Sequence, residues 1–142
     1  MNPNSTHQLW SLWTARVAVP YHKTHDNPEF HNEMKRATAT VYRRMFGSAS
    51  EMKIDYTREA SVGRHNAVHS SSRFIVQCRT EGAPAPDRKF RKMQMDAIAA
   101  FFGKNLRRYG KVNVSVEVRV EAGDIGDGKP PAQLILAPSI VF

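Results

Sequence analysis

Apolar residues recur along this chain first at every second position, then at every third and fourth, then at every second again. The whole series returns roughly 60 residues later. Trp13, Ala15, Val17 and Val19 share one face of a predicted strand, with Trp10, Leu12, Thr14 and Arg16 on the other. The apolar pair Trp10 and Leu12 predicts that this end of the strand is covered on both sides. Pro20 ends the run, and a His-rich polar loop, 21–27, leads to a helix over 28–46 with Asp26 or Asn27 as its cap and Pro28 in the first turn. Phe30, Met34, Ala37, Val41 and Met45 mark its apolar stripe, and Gly47 supplies the stop.

A second strand carries Met52, Ile54 and Tyr56, and the polar stretch 57–72 after it reads as a long hairpin or a mobile loop. The series then repeats. Phe74, Val76 and Cys78 alternate with Arg73, Ile75, Gln77 and Arg79, and Asp87 caps a helix running to about Leu106. Phe90, Met93, Ala97, Ala100 and Phe101 form the predicted stripe there, widened by Ile98 and Phe102 until the helix is apolar almost all round, as at a subunit contact. Val112, Val114, Val116, Val118 and Val120 alternate with polar residues, which predicts a strand with one buried and one wet face.

Two strand–helix–strand units with right-handed crossovers predict an α+β ferredoxin-like sandwich, a four-stranded sheet backed by two helices. We divide the single expected domain into a loose N-terminus (1–8), a first unit (9–60), a polar loop or hairpin (61–72), a second unit (73–122) and a C-terminal segment (123–142). That last segment ends on an apolar run in which Leu134, Leu136, Ile140 and Phe142 must find cover. Pro138 argues against a central strand, so the run is expected as an extra edge strand or as an arm at an oligomer interface.

The layout is similar to that of the tautomerase superfamily, in which paired units of this length carry an N-terminal catalytic proline. The resemblance implies layout only, because Pro3 is internal and lacks the secondary amine that this chemistry needs.

Charge adds one further expectation. Lysine and arginine exceed aspartate and glutamate by 21 to 13, a formal net charge of +8, which favours a polyanionic or acidic partner. Arg88, Lys89, Arg91 and Lys92 crowd the start of the second helix, where the helix dipole favours negative charge. With Arg73, Arg79, Arg107 and Arg108 they form the candidate anion-binding surface, and the leading expectation is a non-catalytic basic module contacting nucleic acid. A structural subunit of a homo-oligomer or viral particle is the alternative, and a small enzyme of tautomerase-like layout is a third.

No catalytic constellation, cofactor fingerprint or metal site is expected. His22 and His25, like His65 and His69, lie on predicted loops rather than on one helical face. The lone Cys78 reads as a reduced, buried thiol, and no apolar run approaches the roughly 20 residues that span a bilayer. A cytoplasmic protein is therefore expected.

Overall fold

A computed structural model of the chain describes residues 9–47, 49–122, 134–136 and 140–141. Strand β1 (Leu9–Pro20) leads to helix α1 (Pro28–Phe46) and strand β2 (Glu51–Val62). Strand β3 (Val68–Glu81), helix α2 (Arg88–Leu106) and strand β4 (Asn113–Ala122) repeat the order. The sheet runs β2-β3-β1-β4, with antiparallel neighbours, so each helix carries the chain past an intervening strand. This is the ferredoxin-like α+β sandwich, with an addition at one edge. Strands β5 (Leu134–Leu136) and β6 (Ile140–Val141) both pair with β4.

The core lies between the sheet and the helices. Alternation places Trp13, Ala15, Val17 and Val19 of β1, Phe74, Val76 and Cys78 of β3, and Val114, Val116 and Val118 of β4 on the helix side, all buried. Trp13 stacks on Phe46, with ring centroids 4.5 Å apart, and its indole N–H donates to Thr80 Oγ1 at 2.9 Å. That bond matters because an unpaired buried N–H costs about 1–3 kcal/mol. Cys78 is fully buried, and desolvation pushes its thiol up to about 12. It packs as a small apolar residue.

Both helices start as the sequence predicts. Asn27 Oδ1 accepts the Glu29 N–H and Asp87 Oδ1 accepts the Lys89 N–H, each at 2.9 Å. Their buried faces are rotated from the expected stripes. In α1 the core side is Phe30, Met34, Thr38 and Tyr42, while Ala37 is exposed. Thr38 is tolerated there because its hydroxyl donates to Met34 O at 2.6 Å, whereas the buried Tyr42 hydroxyl has no partner among the described residues. In α2 the core side is Met95, Ile98, Ala99, Phe102 and Leu106. Phe90 and Met93, expected inside, are 50% and 60% exposed.

Three other expectations are resolved. The polar stretch forms a long hairpin, with β2 and β3 in unbroken register from Glu51 opposite Arg79 to Val62 opposite Val68. The Gly63 N–H donates to Ala67 O across its turn, where His65 and Asn66 take positive φ. Trp10 and Leu12 are half-buried with no second layer over them among the described residues, and the Arg79 guanidinium, 5.0 Å from the Trp10 ring, supplies part of the cover. The described parts of the C-terminal run take the edge-strand form expected of it, Leu134, Leu136 and Ile140 having their backbones paired to β4 of the same chain, and Phe142 lies outside the described residues. Among the described residues, no helix is long and apolar enough to cross a membrane.

Candidate functional site

The predicted basic surface does not assemble. Arg73 and Arg79 stand on the open face of the sheet, away from the helices, and both are committed there. Arg73 Nε is 2.9 Å from Glu59, and Arg79 reaches Glu121 at 3.4 Å and Glu51 at 3.7 Å. Arg91, at the start of α2, donates to the carbonyls of Ala85 and Pro86, and Lys92 pairs with Asp96 at 2.8 Å. Arg88 and Lys89 are exposed beside them, while Arg107 and Arg108 lie at the far end of the helix. The dipole conflict at the helix start is eased by Asp87 and by the inward turn of Arg91.

Chemistry converges elsewhere, at the β1–α1 connection. Pro20 stops β1, and residues 23–26 form one tight turn in which His22 Nδ1 accepts the Thr24 N–H at 3.1 Å. The turn drives His25 into the core and leaves Asp26 facing the β2–β3 hairpin. There the Asp26 carboxylate accepts two phenols, Tyr21 at 2.5 Å through Oδ2 and Tyr56 at 2.8 Å through Oδ1. The Tyr21 bond first, then that of Tyr56, holds this carboxyl below its ordinary range. The same bond raises Tyr21, and desolvation chiefly raises Tyr56, so at neutral pH the group is an anion held by two protonated phenols. The Arg58 guanidinium lies over the Tyr21 ring, 3.7 Å from its centroid.

His25 is completely buried behind this group, in contact with Phe30, Phe74 and Tyr109. Its Nδ1 lies 2.7 Å from Ser72 Oγ and accepts the His22 N–H at 3.2 Å. Those contacts place the ring proton on Nε2, which has no partner among the described residues. Burial first, then the neighbouring His22, lowers His25 to about 4. His22 and His25 thus build this turn, while His65 and His69 lie apart from them at the far end of the β2–β3 hairpin.

Sequence reasoning missed this cluster. In the sequence Asp26 presents only as a helix cap, a role Asn27 fills, and Tyr56 joins it from a strand 30 residues away. A cleft of about 260 Å³ lies between α1 and α2, lined by residues that include Glu33, Phe101 and Arg108, and two more lie on the open sheet face. One of about 430 Å³ is lined by Leu12, Lys53, Gln77 and the Arg79 and Arg119 ion pairs. The other, of about 490 Å³, lies over Ala18 and Ile75.

No family model matches the chain, and no curated protein matches it. Solved structures it is similar to include a phage SAM lyase in its apo state, with TM-score 0.49 and 12% identity over 92% of this chain and 87% of that one. A phage SAM lyase in complex with S-methyl-5'-thioadenosine gives TM-score 0.41 and 14% identity over 89% and 90%. The expectation of a non-catalytic nucleic-acid module is corrected here. The side chains it relied on are divided between two sides of the molecule, and Arg73, Arg79 and Lys92 are held in ion pairs.

Proposed function

We propose that this protein is a small-molecule enzyme whose substrate is held as a cation at Asp26. One observation carries the reading: an ionised carboxylate fixed by two phenols beside an aromatic face that already holds a planar cation, Arg58 on Tyr21. A carboxylate and electron-rich rings together suit an onium group, for which cation–π attraction adds about 0.5–2 kcal/mol per ring. The exposed Arg58 would be displaced by such a substrate. The first substrate to assay is SAM, whose sulfonium is an onium cation, and the first product to seek is S-methyl-5'-thioadenosine. We place this activity in the cytoplasm, where the lone buried thiol of Cys78 stays reduced.

In this reading Asp26 and the Tyr21 ring bind, Tyr56 positions the carboxylate, and His25 keeps the turn rigid from below. The test pairs a binding titration of SAM with chromatographic detection of its cleavage. Wild type should bind SAM at least tenfold more tightly than S-adenosylhomocysteine, its neutral thioether counterpart, and should release S-methyl-5'-thioadenosine. Asp26→Asn should raise KM by tenfold or more, and Tyr56→Phe by less. Equal affinity for the charged and neutral compounds would remove the cation site. Binding without turnover of SAM or of other onium compounds would remove the enzymatic reading.

A further inference from the structure

The sheet ends at β2, whose outer edge pairs with nothing among the described residues over the full length of the strand. The opposite edge, beyond β4, is occupied by β5 and β6. Which backbone groups β2 presents follows from the hairpin. The Gly63 N–H donates to Ala67 O, and the register is unbroken back along the strand, so the odd-numbered residues of β2 exchange hydrogen bonds with β3. Met52, Ile54, Tyr56, Arg58 and Ala60 therefore direct their N–H and C=O groups outward. A long unpaired edge of this kind is a template for another strand.

We propose that the occupant is a second copy of this chain, its β2 antiparallel to the first and the two-fold axis at Tyr56. An isologous interface sets Tyr56 opposite Tyr56, Ile54 opposite Arg58 and Met52 opposite Ala60, each pair joining outward-pointing backbone groups to outward-pointing ones. On the open face the same register sets Lys53 opposite Glu59 twice, once on each side of the axis. Within one chain Glu59 already meets Arg73 at 2.9 Å, and Lys53 lies 3.9 Å from Asp55, so the cross-pairs extend existing ion pairs. Neighbouring registers lack this match. Sliding the partner one pleat repeat in one direction sets Asp55 against Asp55 and Glu51 against Glu59. Sliding it the other way sets Asp55 against Glu59, and like charges directly opposite are destabilising. A register that sets Lys53 opposite Asp55 also avoids like charges, but it pairs only the first part of β2, whereas the Tyr56-centred one uses the strand from Glu51 to Ser61.

Pairing in this way would extend each sheet into one continuous sheet across both copies and bring the two Asp26 clusters side by side through Tyr56. The test is the solution mass of the full chain by light scattering or sedimentation. Wild type should have twice the 16.1 kDa of one chain. Ala60→Pro removes an outward N–H that its own sheet does not use, and Lys53→Glu opposes Glu59 with a like charge. Each should run at 16.1 kDa with an unchanged circular dichroism spectrum. The exchange Lys53→Glu with Glu59→Lys should restore the doubled mass, and it decides the matter even where the proline variant folds poorly. A wild-type mass other than double, or a doubled mass that both single variants keep, overturns the proposal. None of these readings depends on a substrate, so they stand or fall apart from the enzymatic reading.

Discussion

At the scale of single residues the most exacting environment is that of His25. Its ring is sealed among Phe30, Phe74 and Tyr109, accepts bonds at Nδ1, and leaves the Nε2 proton unpartnered among the described residues. The fold therefore admits the neutral ring and disfavours the cation. A lowered histidine pKa means that the unfolded chain takes up a proton before the folded one does. Stability from this group is complete above the unfolded value of about 6.5. It is lost progressively as pH falls toward the folded value of about 4. Urea midpoints measured from pH 7 to pH 4.5 should fall, and His25→Gln, which cannot titrate, should flatten that fall while lowering the midpoint at pH 7. A histidine variant with an undiminished acid limb would show that the carboxylates govern it.

At the scale of elements, α2 offers the sharpest contrast between pattern and packing. Its apolar residues occur on nearly every side, so periodicity alone does not choose the face that turns inward. Contact with β4 and β1 makes the choice, setting Met95, Ile98, Ala99, Phe102 and Leu106 against the valine rows. Phe102→Ala should cost about 3–5 kcal/mol, as for a fully buried aromatic, whereas Phe90→Ser should change stability by less than about 1 kcal/mol. Chemical denaturation of the two variants checks this directly, and equal losses would restore the expected stripe. The strands were easier to read because a period of two leaves only two faces, and the unbroken valine alternation of β4 marks the inner one. Helix caps were legible for a similar reason, since Asn27 and Asp87 act within two residues of themselves. The Asp26 cluster was not legible. It depends on a tight turn after Pro20 and on the register of a hairpin, neither of which a local pattern encodes.

At the scale of the whole molecule, the two edges of the sheet have been treated differently, and the difference predicts how the chain responds to shortening. The apolar C-terminal run is expected from its sequence either as an extra edge strand or as an arm on a neighbouring subunit. Its described parts take the first form and lie along β4, Leu134 opposite Arg119 and Leu136 opposite Glu117, then Ile140 opposite Val114 with the register offset by one residue. An edge strand held in this way satisfies the outer backbone groups of β4 and keeps them from other chains. Deleting 132–142 should therefore lower the melting temperature by several degrees and promote aggregation through the newly bared β4, while the β2 edge is untouched. The soluble fraction of the shortened chain should keep the mass of the full-length protein. A clean fall to a smaller mass, with the melting temperature unchanged, would instead make the tail an intersubunit arm. Because β2 and β4 lie at opposite sides of the four-stranded core, with β3 and β1 between them, the two kinds of loss are separable in one sample. Light scattering reads the mass while circular dichroism follows the melt.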